Sequence, residues 1–153
     1  MKGVLEFYID GACSGNPGEG SIGIVVKQDG KTIKEIAKLI GETTNNIAEY
    51  YAFIFALQEA LILKAEQVKF YTDSELLYKQ ITGEYKIKSA NLKFLYEQVK
   101  HLLTGFKKID IEKIPREKNK EADRLAGDIL KKQTKMVASL FPTSGEESPS
   151  SEG

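Results

Sequence analysis

Four carboxylates carry the chemistry that this sequence offers. Asp10 closes the alternating run VLEFYID, Glu49 stands near the start of a long helical stretch, Asp73 follows VKFYT, and Asp123 lies within NKEADRLAGDILKKQ. Carboxylates gathered at one point repel one another unless cations are present. Oxygen donors of this hardness select Mg²⁺ or Mn²⁺ over zinc, which gives in outline a two-metal hydrolase. Each residue also has a local explanation. Asp10–Gly11 reads equally as a turn whose aspartate bonds its own backbone. Glu49, three residues after Asn46, fits a capping box. Asp73 sits where an N-cap is expected, and Thr72 with Glu75 has capping-box spacing. Asp123, near the first turn of a helix, suits the helix dipole. Taken singly, none of the four decides.

The elements that must position them favour the shared reading. VLEFYID (4–10), SIGIVVKQ (21–28) and KTIKEIAKLI (31–40) alternate as strands do. Asp29–Gly30 between the last two is the dipeptide of a two-residue hairpin, so the three form an antiparallel meander. NIAEYYAFIFALQEALILK (46–64) is nearly all apolar and free of Gly and Pro, which predicts a helix buried on most sides. VKFYT (68–72) is a strand, SELLYKQI (74–81) a helix, GEYKIKS (83–89) a connection, NLKFLYEQVKHLL (91–103) a helix and KIDIEKI (108–114) a strand ended by Pro115. A final amphipathic helix covers 119–133. The expectation is an α/β fold with a five-stranded mixed sheet, three antiparallel strands plus two parallel, flanked by helices.

The strands at 68–72 and 108–114 follow helical crossovers and should lie parallel to the first. Asp10 and Asp73 then share the C-terminal edge of the sheet, where ligands collect in α/β proteins. Ala52, Ala56 and Ala60 lie on the same side of their helix as Glu49 and would let it approach the sheet closely.

Composition bounds the rest. At 153 residues, 41% hydrophobic and 29% charged, the chain is expected to be one domain with a proper core. No apolar run approaches the roughly 20 residues of a membrane span. The sequence runs directly into VLEFYI without the charged-then-apolar pattern of a signal peptide, and a cytoplasmic protein is expected. The single cysteine, Cys13, rules out an internal disulfide. The formal net charge of zero hides an asymmetry: residues 1–78 carry 7 Lys/Arg against 11 Asp/Glu, and residues 79–135 carry 15 against 8. A basic second half suggests a polyanion on one face, or simply solvated helix faces. From about Thr134 the composition turns to Ser, Pro, Glu and Gly, so 1–134 is expected to be the folded domain and 135–153 a disordered acidic tail.

Four segments together carry a resemblance. Asp10-Gly11-Ala12-Cys13-Ser14-Gly15-Asn16-Pro17-Gly18, Thr43-Thr44-Asn45-Asn46-Ile47-Ala48-Glu49, Thr72-Asp73-Ser74 and Asn119-Lys120-Glu121-Ala122-Asp123-Arg124-Leu125-Ala126 resemble type 1 ribonuclease H, in the right order over roughly residues 3–133. The resemblance implies a ribonuclease H-like fold and an endoribonuclease that cuts the RNA strand of RNA–DNA hybrids. It also implies two Mg²⁺ ions, with Mn²⁺ as a substitute, held by Asp10, Glu49, Asp73 and Asp123 as the catalytic set. Asp10 would bridge both ions, Glu49 and Asp73 would complete the one that positions the attacking water, and Asp123 the one nearer the leaving 3′ oxygen. The products would carry 5′-phosphate and 3′-hydroxyl ends.

Substrate-binding positions implied by the resemblance are Gly11, Cys13, Gly15, Asn16, Thr44, Asn45 and Ser74. Asn16 and Asn45 would reach the minor groove, where 2′-hydroxyls distinguish RNA from DNA. The glycines of 11–15 would let backbone approach the substrate. Cys13, with no histidine beside it, reads as a loop residue and not as a nucleophile. An inactive hybrid-binding protein on the same fold is the alternative, although all four carboxylates are present.

The sequence also departs from the family pattern. Many members place a histidine in the loop before the last aspartate; here it reads Ile114-Pro115-Arg116-Glu117-Lys118, and Arg116 or Glu117 is expected to take over part of its task. His101, the one histidine, is expected to be a surface or packing residue. The long basic, tryptophan-rich protrusion of some members is missing, so the chain resembles the shorter variety. Lys86 and Lys88 would meet DNA-strand phosphates, with Tyr85 packing or stacking beside them. Nothing in the sequence demands more than a monomer. Ser139-Leu140-Phe141 resembles the end of a bacterial sliding-clamp-binding peptide, but Val137-Ala138 stands where Gln-Leu should precede it. The stronger expectation is that Leu140 and Phe141 fold back on the domain.

Overall fold

The alternating run at the N-terminus forms the middle strand of the sheet. In the computed structural model, which describes residues 3–141, β1 (Val4–Cys13) is followed by β2 (Gly18–Gln28), β3 (Lys31–Thr43), α1 (Asn45–Ile62), β4 (Gln67–Thr72), α2 (Glu75–Ile81), α3 (Ala90–Leu103) and β5 (Lys108–Lys113). A single 3-10 turn at Arg116–Lys118 leads into α4 (Lys120–Leu140). The strand order is β3-β2-β1-β4-β5. The β1–β2 and β2–β3 pairs are antiparallel, and β1–β4 and β4–β5 are parallel, as expected for a meander followed by two crossovers. At the β2–β3 hairpin Asp29 and Gly30 have φ of 51° and 77°, the left-handed pair that a two-residue turn of this kind requires.

Side-chain alternation divides the sheet into two faces. Leu5, Phe7 and Ile9 of β1 are fully buried on the face that carries α1, and Phe7 and Ile9 stand opposite Val26 and Ile24 of β2. Ala52, Ala56 and Ala60 of α1 are all fully buried, so the small-residue stripe does bring the helix down onto the strands. Phe70 of β4 completes this layer, with its ring 5.1 Å from both Phe7 and Phe53. Leu92, Leu95 and Val99 of α3 join the same core from the flank. The opposite face, offered by Ser21, Gly23 and Val25, takes α4. A Cβ on Gly23 would stand 2.2 Å from the Ala122 carbonyl oxygen, and the Ser21 hydroxyl donates to the Ala126 carbonyl at 2.6 Å.

The structure corrects several sequence expectations. The first strand does not stop at Asp10. It runs to Cys13, because Gly11, Ala12 and Cys13 stay paired with Ile22, Ser21 and Gly20 of β2, and Asp10 is therefore a strand residue and not a turn. The last helix does not end at Gln133 but continues to Leu140, so the domain limit expected at 134 falls inside α4. Of the tail expected to be disordered over 135–153, residues 135–140 belong to α4, and 142–153 lie outside the described residues. Leu140 and Phe141 do not fold back: they are 66% and 71% exposed at the end of α4, past Leu130, the last residue that the helix buries. His101 is exposed, the surface alternative of the two expected for it. The connection between α2 and α3 is short, without a protrusion.

Candidate active site

The parallel pairing of β1 with β4 places the first two carboxylates. Ile9 is level with Thr72, so the residues that follow them, Asp10 and Asp73, emerge side by side where the parallel pairing of β1 with β4 ends. Asp10 is only 5% exposed. Glu49 comes from α1, across the rim of the sheet. One carboxylate oxygen from each of Asp10, Glu49 and Asp73 lies within 4.8 Å of the others. Asp123, in the first turn of α4, stands at the edge of the group and lines the same cleft. That cleft, about 420 Å³, is also walled by Gly11, Ala12, Cys13, Asn45, Ser74 and Arg116.

None of the first three carboxylates is occupied with capping. Thr44 is the N-cap of α1, its hydroxyl accepting from the Ile47 N–H at 3.3 Å, so Asn46 lies inside the helix and the Asn46–Glu49 capping box does not form. Glu49 instead accepts the main-chain N–H of Gly11 at 3.0 Å. Ser74, not Asp73, caps α2 and accepts from Leu77 N–H at 3.1 Å, while the Thr72 hydroxyl accepts from Ser74 N–H at 3.0 Å. Asp73 is left facing the cleft. Asp123 keeps a place at the N-terminal end of α4, where the helix dipole also favours it.

Burial and mutual repulsion disfavour charge on this group. The Asp10 carboxyl is pushed well above the ordinary carboxylate range by burial, and the charges of Glu49, Asp73 and Asp123 push it further. Glu49 is raised by burial and by Asp73, against the lowering effect of the Gly11 N–H. Asp73 is raised by burial and held back by the Asn119 amide and the Arg116 charge. Such a set cannot be fully ionised near neutrality without cations, and its donors are all hard oxygens, so the residues fit Mg²⁺ or Mn²⁺.

The structure divides the other expected residues into those that meet the cleft and those that support it. Gly11, Cys13, Asn45, Ser74 and Arg116 line it. The Arg116 guanidinium approaches Asp123 at 3.9 Å. Glu117 does not join them but borders a neighbouring pocket with Tyr8, Lys27 and Glu121. Gly15 and Asn16, both exposed, and Thr44, half-buried, are not among the residues that line the cleft. Gly15 has φ of 115°, a conformation open to glycine, and the Asn16 side-chain oxygen accepts the Asn45 N–H at 3.0 Å, fixing the start of α1. Lys86 and Lys88 are exposed on the α2–α3 connection, away from the carboxylates. Tyr85 packs against α2, its ring 5.0 Å from the Lys79 ammonium and its hydroxyl 3.2 Å from Glu75. The Cys13 thiol donates to the Thr43 carbonyl at 3.2 Å and is raised by burial, neither of which suits a nucleophile.

Gly11 has a further reason to lack a side chain. A Cβ there would lie 2.3 Å from the Ala48 carbonyl carbon and 2.5 Å from the Glu49 nitrogen. This close approach is to α1. Asn119 is the residue that sequence reading passed over. It lies in the stretch that resembles the family, but an asparagine directly before a helix reads as a cap. Its side chain makes no capping bond. It is 1% exposed, and Nδ2 donates to the Ile9 carbonyl at 2.8 Å and to Asp73 Oδ2 at 3.3 Å.

A five-stranded mixed sheet with a carboxylate cluster where the pairing of its central parallel strands ends defines the ribonuclease H-like class. The family model described as Reverse transcriptase-like matches residues 8–128. Ribonuclease HI of Halobacterium salinarum is 38% identical over 129 residues, 84% of this chain and 65% of that protein. Its crystal structure superposes with a TM-score of 0.82 at 37% identity, covering 85% of this chain and 99% of that one. LC11-RNase H1, solved in complex with an RNA/DNA hybrid, gives a TM-score of 0.81 at 36% identity, over 85% of this chain and 99% of the other. A bifunctional protein of Mycobacterium tuberculosis is 40% identical over 132 residues, 85% of this chain but 36% of that protein. The chain thus spans about a third of the mycobacterial relative and 65% of the Halobacterium one. It belongs to the Reverse transcriptase-like family, on its type 1 ribonuclease H branch.

Proposed function

We propose that the chain is an endoribonuclease that hydrolyses the RNA strand of RNA–DNA hybrids, acting as a monomer in the cytoplasm with no membrane partner. The observation that carries this reading is the cluster of Asp10, Glu49 and Asp73 within 4.8 Å of one another, with Asp123 at its edge. Similarity to LC11-RNase H1, which was solved on such a hybrid, supports the choice of substrate.

The four carboxylates would hold two Mg²⁺ ions, or Mn²⁺ in their place. Bound there, the ions would make a water more acidic and neutralise charge on the phosphate and the leaving oxygen. The water oxygen attacks phosphorus in line, the bond to the 3′ oxygen breaks, and the products are a 5′-phosphate and a 3′-hydroxyl. The chain's own part is placement. Gly11 N–H fixes Glu49. Arg116, the one basic side chain among the described residues that line the cleft, adds positive charge beside Asp123, where the family's loop histidine is missing. Asn45, Ser74 and Gly11–Cys13 line the wall against which the minor groove and its 2′-hydroxyls would lie, with exposed Asn16 and Gly15, and Thr44, as further contacts. Lys86 and Lys88 would meet DNA-strand phosphates further along the hybrid.

The test is cleavage of a labelled RNA–DNA hybrid with and without Mg²⁺, beside Asp10→Asn, with RNA duplex and DNA duplex as controls. Metal-dependent cutting of the RNA strand alone, lost in the variant, is the expected result. Binding of hybrid without cutting under both Mg²⁺ and Mn²⁺ would make the chain an inactive hybrid reader instead.

A further inference from the structure

An asparagine at the N-cap position ordinarily spends its side-chain oxygen on the exposed N–H groups of the first helical turn. Asn119 does not: it stands at the N-cap of α4 with no side-chain capping bond, φ of −118° and ψ of 28°. Its amide is turned inward and is 1% exposed. Nδ2 joins two elements there, donating to the carbonyl of Ile9 in β1 at 2.8 Å and to Asp73 Oδ2 beyond β4 at 3.3 Å. Oδ1 is buried with no hydrogen-bond partner among the described residues. A residue that forgoes its cap and leaves a buried oxygen unpaired is unfavourable for stability alone. Its main chain meanwhile carries Asp123, whose N–H donates to the Asn119 carbonyl at 3.1 Å.

We infer that Asn119 is a positioning residue that frames the carboxylate cluster before any cation arrives. Its amide ties the peptide preceding Asp10 to the carboxylate of Asp73, and its carbonyl anchors the turn that carries Asp123. Three of the four carboxylates are thereby set from one buried side chain and its own backbone. Groups that orient metal ligands from behind matter to affinity almost as the ligands do, at roughly 10–100-fold per substitution. The inference rests on the reading of these carboxylates as cation ligands.

The deciding variant is Asn119→Leu, which keeps much of the shape and removes the amide. Mn²⁺ and Mg²⁺ binding is followed by titration calorimetry without substrate, and kcat and KM on hybrid are measured at saturating cation. Leu130→Ala, on the same helix but far from the cleft, serves as a control for lost stability. The expected result is cation binding weakened about tenfold or more, kcat lowered, KM for hybrid little changed, and neither effect in the control. Unchanged cation binding in a folded Asn119→Leu, or an equal loss in Leu130→Ala, overturns the inference. If Asn119→Leu does not fold, Asn119→Ser, whose hydroxyl is too short to span both partners, is put through the same measurements. A wild-type chain that binds cation but cuts no hybrid defeats the proposed function, and the calorimetry still decides the role of Asn119.

Discussion

Gly11 and Glu49 hold each other in place. The Gly11 N–H donates to Glu49 Oε1 at 3.0 Å, and the space where a Gly11 side chain would stand is filled by the Ala48–Glu49 backbone, 2.3 to 2.5 Å away. The contact that seats α1 on β1 is also the one that brings a carboxylate of α1 over the sheet edge to Asp10.

Gly11→Ala is therefore expected to be costly in two ways. Overpacking against backbone, which cannot rotate aside, should destabilise by about 1–3 kcal/mol in urea unfolding. Displacing α1 by a fraction of an ångström to 1 Å should also lower kcat by on the order of 10²-fold. An alanine variant with wild-type turnover would mean that α1 can be moved without moving Glu49.

The raised carboxyls set a pH dependence with a definite sign. Asp10 is pushed up to about 9 and Glu49 to about 8, so in the metal-free chain the folded state binds more protons than the unfolded one above the ordinary carboxylate range. Their contribution to stability is fully present below about pH 4 and is lost as pH rises through those values. In chelator, Asp10→Asn should melt higher than wild type at pH 8, by roughly 2–4 °C for each ~1 kcal/mol relieved. Added Mg²⁺ should remove most of the difference by stabilising the wild type. Parallel melting curves for the two proteins from pH 5 to pH 9 would show that the cluster carries no such repulsion.

Arg116 and Glu117 are adjacent in sequence but border different pockets. Arg116→Ala is expected to reduce kcat by about tenfold, ~1.4 kcal/mol of transition-state stabilisation, with Glu117→Ala near wild type. Steady-state rates on one hybrid substrate would show it, and equal effects of the two substitutions would exclude a special role for the guanidinium.

Lys86 and Lys88 lie outside the cleft, and their effect should appear in binding and not in chemistry. Each change to Ala is expected to weaken hybrid binding and to reduce the slope of log K against log salt by about 1, leaving kcat unaltered. A salt slope identical to wild type would place both lysines off the substrate.

Strand alternation, the Asp29–Gly30 turn and the apolar stretch from Asn46 made the strands of the sheet and their directions legible, because local periodicity reports which side of an element meets the core. The limits of elements were less so. The strand past Asp10 survives its glycines because β2 pairs with it, and α4 outlasts its expected end at Gln133 without burying a side chain beyond Leu130. Neither fact has a local signature.

The sequence by itself determined the four carboxylates, the elements that carry them and the family whose motifs they form, since these depend on residue type, spacing and order. It left open whether Glu49 and Asp73 were occupied as helix caps. Only the tertiary structure decided that, by giving the caps to Thr44 and Ser74, and by turning Gly11 toward α1 and Asn119 away from its own helix toward Ile9 and Asp73. The physical reason is that a side chain with several satisfactory local partners is committed by what the rest of the fold brings within hydrogen-bond distance, and those neighbours come from residues far away in the chain.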